Sequence, residues 1–270
     1  MSRELKLTLL GTGSSGGVPR IGNDWGVCDP DEPRNRRMRC SALIEMFCEG
    51  AERPTRVLID TSPDLREQML MTRTDALDAV VFTHDHADQT HGIDDVRVFA
   101  IRSRRQLPAY MDAPTKASLA TKFSYCFEGK GGYPAILALQ PLIEPGRAFS
   151  IDGPGGPVEL LPVEQEHGRI VSLGFRIGPI AYCNDVSDMS PEALARLEGV
   201  EVFVIDALRY TPHPTHAHLE KALDWSRRVG ARDTILTNLH VDMDYRTLVN
   251  ELPDGVRPAH DGLSVSRRIS

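Results

Sequence analysis

The chain has 270 residues, enough for one large domain or two small ones with a substantial buried core. Its 41% hydrophobic and 26% charged residues are an ordinary globular composition, which sets aside fibrous and disordered classes. A formal net charge of -7 argues against a dedicated nucleic-acid binder, which needs a basic face for phosphates.

The opening "MSRELKLTLLGTG" has neither the basic start nor the apolar core of a signal peptide. Its "LKLTLLGTG" alternates and ends in glycines, as a strand entering a turn does. Further on, "RVLIDTSPD", "DAVVFTHDH", "AYCNDVSD", "EVFVIDALRY" and "DTILTNLH" share one form: a short apolar run that stops abruptly at Asp, His, Asn or Thr. Such runs predict strands buried on both faces, with helices outside and polar residues gathered along one sheet edge. "SPEALARLEG" predicts a helix with Ser190 as N-cap, Pro191 at its first position and Gly199 as its stop. "THAHLEKALDWSRRVG" predicts another, with Leu219, Ala222, Leu223 and Val229 near helical spacing and Gly230 at its end. "GKGGYP" and "IDGPGGP" are loops. With no repeat and no linker, one domain over residues 1–270 is expected. No apolar run approaches the roughly eighteen residues of a membrane helix. The five cysteines form no Cys-x-x-Cys pair and suit a reducing compartment, so a cytoplasmic protein without membrane contact is expected.

The chemistry concentrates in "THDHADQTH", Thr83 to His91. His84 and His86 follow an apolar strand, where alternate side chains point the same way and both imidazoles can reach one ion. Asp88 follows as the chain turns and can serve a neighbouring ion. Imidazole and carboxylate suit zinc, manganese or iron.

Together with "LLGTGSSGGVPRIG", "RCSALIE", "LIDTSPDLR", "EHG", "CNDVSD", "DALRY", "THAHL" and "LTNLH", this motif resembles the metallo-β-lactamase-fold hydrolases. It is most similar to their phosphodiesterase branch, which includes the phosphoribosyl cyclic phosphodiesterases. The resemblance implies an α/β protein with the αβ/βα four-layer sandwich of that fold, two face-to-face sheets with helices on both outer faces. It implies that His167 completes a first metal site with His84 and His86, and that Asp185 is a bridging ligand. The structural zinc of other members is not expected, because only Cys28 remains of its cysteines and Val241 replaces its histidine.

The second metal site departs from the pattern. Gln89 stands where the family has a histidine, and Asn238 where it has another. Histidines lie two residues downstream of each, at His91 and His240. A helix starting at Gln89 would point His91 elsewhere, toward the ligands' surroundings or the substrate. A strand end at Asn238 would let His240 replace it. Two divalent ions, zinc or manganese, are therefore expected, the second held more loosely by Asp88, Asp185 and His240. His216 matches the family's general acid, which protonates the leaving group, and His218 is expected to orient it or share its task. The run "RNRRMRC" (Arg34, Arg36, Arg37, Arg39) offers guanidinium groups for a phosphate.

The function implied is hydrolysis of a small, nucleotide-like or sugar phosphodiester, cyclic forms included, by a metal-activated hydroxide with a histidine acid. The expected partner is that substrate, with no membrane, nucleic acid disfavoured and a homodimer left open. Two alternatives stand: a nuclease of the tRNA-processing type, and a non-catalytic metal- or nucleotide-binding module. Fold alone leaves thioester and β-lactam hydrolysis open as well.

Overall fold

Alternation along the strands accounts for the layers. In the computed structural model, which describes residues 3–269, the first sheet is built from β1 (Arg3–Gly11), β2 (Ser41–Cys48), β3 (Thr55–Ile59), β4 (Ala79–Val81), β5 (Leu107–Tyr110) and β6 (Leu137–Leu139). The second contains β7 (Phe149–Ile151), β8 (Val158–His167), β9 (Ile170–Ile177), β10 (Ile180–Cys183), β11 (Val202–Asp206), β12 (Asp233–Thr237) and β13 (Val256–Pro258). The last strand, β14 (Ser264–Ile269), returns to the first sheet and pairs antiparallel with β1. The orders are β14-β1-β2-β3-β4-β5-β6 and β13-β12-β11-β10-β9-β8-β7.

Successive residues of a strand face opposite sides. Leu5, Leu7 and Leu9 of β1, Val57 and Ile59 of β3, and Val81 of β4 meet Leu173, Phe175, Tyr182, Val202, Val204 and Ile235 between the sheets. Their neighbours point outward. Leu58, Val80 and Phe82 pack under α1 (Leu65–Thr72), α3 (Arg97–Ser103), α4 (Ala113–Lys122) and α5 (Ser124–Glu128). Phe203 and Ile205 pack under α6 (Pro191–Leu197), α7 (Leu219–Val229) and α8 (Tyr245–Glu251). The short α2 (Ala87–Thr90) follows the histidine motif. The molecule is thus a four-layer αβ/βα sandwich with both sheets covered.

The helix signals act as their chemistry requires. Ser190 Oγ accepts from Ala193 N at the start of α6, and Gly230 adopts φ 72° at the end of α7, a conformation that costs glycine nothing. The β8–β9 hairpin, which the sequence reading passed over, carries Glu159, Glu164 and Glu166 on its exposed positions and delivers His167 at its turn. No helix among the described residues is long and apolar enough to cross a membrane.

Candidate active site at the strand ends

Six strand ends from the two sheets meet at one edge. Three of them finish in a left-handed Asp or Asn: Asp60 after β3 (φ 62°), Asp185 after β10 (φ 52°) and Asn238 after β12 (φ 61°). Asp and Asn tolerate this region better than other side chains, and here it turns the chain sharply at the site. The remaining ends supply His84 and His86 after β4, His167 from β8 and Asp206 from β11.

His84, His86 and His167 converge. Their ring centroids are 4.6 to 5.1 Å apart. His167 Nε2 lies 3.2 Å from His86 Nδ1. A candidate ligand atom of each ring lies within 4.8 Å of those of the other two. Hydrogen bonds on the far sides of two rings fix which nitrogen is left bare. Thr83 Oγ1 donates to Asp60 Oδ2 (2.8 Å), so it accepts from His84 Nδ1–H (2.9 Å). His84 Nε2 is then a lone-pair nitrogen, buried and without a hydrogen-bond partner. His167 Nδ1–H donates to Thr215 O (2.6 Å), which leaves its Nε2 bare as well. Burial and the neighbouring imidazoles push His84 well below the usual histidine range. Burial, then the charge of His216, pushes His167 down to about 4. Neutral rings with inward lone pairs and outward N–H anchors are the form a divalent ion requires, so these residues fit one.

Asp185 lies between this cluster and His216. Its Oδ2 is 3.5 Å from His84 Nε2, and its Oδ1 is 3.5 Å from His216 Nδ1. Its backbone is pinned by Ser172 Oγ, which donates to Asp185 O (2.7 Å). Gln89 and Asn238 are both buried, and each donates an amide hydrogen to Asp185, to Oδ2 and Oδ1 respectively, at 2.8 Å. Asp88 is half-buried, with Oδ2 3.4 Å from Gln89 Nε2.

His216 has a partner that the sequence reading missed. His216 Nδ1–H donates to Asp206 Oδ2 (2.8 Å), a carboxylate buried at the end of β11 that also accepts from Val186 N. Burial works against the imidazolium, but the charge and hydrogen bond of Asp206, then the charge of Asp185, outweigh it and lift His216 to about 9. The signal was present: "VFVID" is a fully buried strand that ends in an acid. A buried acid needs a cationic or hydrogen-bonding partner.

Other expectations need correction. His240 does not join Asp88 and Asp185. Its Nε2 faces Arg20 Nη1 (3.2 Å) and its Nδ1 faces Asp242 (3.1 Å). The reason is that β12 stops at Thr237, and left-handed Asn238 breaks the alternation that was to carry His240 inward. His218 stands at the N-cap of α7, and it is His213 whose ring flanks His216, at 5.2 Å. His91, just past α2, is exposed and sits edge-on to Phe123 (5.6 Å) while Gln89 faces inward, as a helical turn dictates. The arginine run is engaged elsewhere. Arg34 and Arg36 lie over the rings of Tyr245 and Trp25, and Arg39 forms a bidentate pair with Asp64. Arg37 is buried and donates to Met243 O and Asn35 Oδ1. Cys28 and Val241, which stand at the positions of the structural zinc ligands of other members, pack together with Val18.

The fold and this site define a metallo-hydrolase of the beta-lactamase superfamily, to which the chain belongs: the model of the beta-lactamase superfamily domain matches residues 55–238. Within it the chain belongs to the PhnP branch. The crystal structure of a new diphosphatase from the PhnP family superposes with a TM-score of 0.88 at 33% identity, covering 100% of this chain and 99% of that one. A curated octanoyltransferase from Porphyromonas gingivalis (strain ATCC BAA-308 / W83) is 32% identical over 262 residues, 96% of this chain. The chain spans about half (51%) of that relative's length. The metallo-beta-lactamase fold protein YhfI from Bacillus subtilis shares the fold, with a TM-score of 0.71 at 17% identity over 98% of this chain and 99% of that one.

Proposed function

We propose that the chain is a metal-dependent phosphodiesterase acting on small nucleotide-like or sugar phosphodiesters, cyclic esters and diphosphate linkages included. The observation that carries this reading is the bare, buried His84 Nε2 in a three-histidine cluster, set beside a histidine charged by Asp206. His84, His86 and His167 would hold a divalent ion, zinc or manganese, with Asp185 as the adjoining carboxylate. Such an ion supplies Lewis acidity and lowers the pKa of water.

The chain's own residues do the rest. Asp206 holds His216 by Nδ1–H and keeps it protonated at neutral pH, so its Nε2–H is available to the leaving oxygen. An alkoxide leaves poorly without that proton. Asp185, clamped on both oxygens, keeps the distance between the histidine cluster and His216 fixed. Thr83 and Asp60 hold the His84 ring in its ligand tautomer.

The test is a panel of cyclic and linear phosphodiesters and dinucleoside diphosphates, run beside structured RNA and a thioester, with zinc- and manganese-loaded protein. Turnover of a small diester or diphosphate, lost together with bound metal in His84→Ala, is the expected result. Cleavage of RNA or thioester alone, or full metal content in His84→Ala, overturns the reading.

A further inference from the structure

The second ion expected beside the first does not fit the groups that the structure places there. This misfit, which rests on the metal-centre reading above, lies next to that centre. Among the described residues, the acids of the motif series near the first cluster are Asp185, Asp88 and Asp206. Asp206 groups with Asp185 and His216, with ligand atoms within 4.8 Å of one another, but its Oδ2 is engaged by His216 Nδ1–H and Val186 N, which leaves Asp185 and Asp88 to share a second ion. Yet each oxygen of Asp185 already accepts an amide hydrogen at 2.8 Å, Oδ2 from Gln89 Nε2 and Oδ1 from Asn238 Nδ2. Gln89 Nε2 also lies 3.4 Å from Asp88 Oδ2, so one NH2 group spans the gap between the two carboxylates. An amide nitrogen donates and has no lone pair to offer a metal.

Turning the amides over does not rescue the site. It would set neutral acceptor oxygens against carboxylate oxygens, although at Asn238 it would relieve the approach of Nδ2 to His216 Nδ1–H (3.1 Å). At Asn238 it would also give up the contact of Oδ1 with the Cys40 thiol (4.0 Å). Neither side chain can swing into water, since Gln89 is 0% and Asn238 2% exposed. The imidazole expected there, His240, is turned to Arg20 and Asp242.

We infer that this chain holds a single metal ion, and that the Gln89 and Asn238 amides, joined through Asp185, fill the place of a second. The amides act as positioning residues. They decide that Asp185 Oδ2 faces His84 and Oδ1 faces His216, both at 3.5 Å, and they hold this buried carboxylate in a water-poor setting. A substrate then meets one ion and one imidazolium where a two-metal enzyme presents two ions.

Metal content decides the matter. The full chain is stripped with a chelator, re-equilibrated separately with excess zinc and excess manganese, desalted, and its metal-to-protein ratio measured by plasma mass spectrometry. One ion per chain is expected, rising to two in the double variant Gln89→His/Asn238→His. The manganese-loaded wild type should give the electron paramagnetic resonance spectrum of isolated ions, since two ions about 3.5–4 Å apart would be magnetically coupled. Two ions per wild-type chain, or a coupled spectrum, overturns the inference. So does a folded double variant that stays at one ion; should that variant fail to fold, the wild-type ratio and spectrum still decide. Zero ions in the wild type is a separate outcome, which removes the metal-centre reading and this inference with it.

Discussion

At the residue scale, two histidines of similar standing in the sequence separate by their partners. His216 is held by the buried Asp206, whereas His240 faces Arg20 and Asp242 away from the cluster. His216→Ala should keep its metal and lose about 10²–10⁴ in rate on an ester with a poor leaving group, as acid catalysis usually contributes. On p-nitrophenyl esters, whose leaving group needs little protonation, the loss should be far smaller. Equal losses on both would remove His216 from the role of acid. Asp206→Asn should reproduce the same leaving-group dependence in weaker form. His240→Ala should retain the wild-type metal content, and a drop measured by plasma mass spectrometry would show that His240 reaches the metal after all. The sequence made His84, His86, His167, Asp185 and His216 legible because a matching motif preserves their order along the chain. Asp206 and Thr83 stayed hidden because their roles depend on which side chain another strand brings opposite them. Spacing along one strand does not record that.

At the element scale, the strands were readable where they are apolar throughout, as in "VLI" and "VFVI", since burial on both faces leaves no alternation to misread. β8 was not, because its outward face carries Glu159, Glu164 and Glu166 and its inward face alone carries the signal. What happens just past a strand proved hardest to read. The sequence permitted β12 to run on toward His240, but Asn238 at φ 61° ends it. The corresponding turn at Asp60 ties β3 to β4, since its carboxylate accepts both the backbone N–H and the hydroxyl of Thr83 at 2.8 Å. Asp60→Ala leaves that buried N–H without a partner, at a cost of about 1–3 kcal/mol. The variant should melt at lower temperature and bind metal less tightly, because the anchor behind His84 goes too. A variant with unchanged melting and unchanged metal affinity would contradict the role given to this turn.

At the scale of the whole molecule, the sandwich is closed beside the site by Asp261, whose carboxylate accepts from Thr12 Oγ1 (2.8 Å) and Met38 N (2.7 Å). Burial outweighs those bonds and pushes Asp261 up to about 7. The unfolded chain releases this proton near pH 4, while the folded chain keeps it until about 7. Between those values the folded state binds the extra proton. The group's contribution to stability is therefore whole below about pH 4, declines as pH rises to about 7, and is then level. Melting of the wild type and of Asp261→Asn, compared across that range, should show the wild type losing ground to the variant as pH rises. A constant gap would place the titration elsewhere. All of this scaffolding serves one claim, that the strand ends of two sheets assemble a hydrolytic metal centre on His84, His86 and His167. The most direct measurement is to titrate zinc or manganese back into chelator-stripped protein while following bound metal and hydrolysis of bis(p-nitrophenyl) phosphate together. The account predicts no turnover without metal and activity that rises in step with occupancy of the centre. Full activity in the stripped protein, or complete metal binding with no hydrolysis, would contradict it.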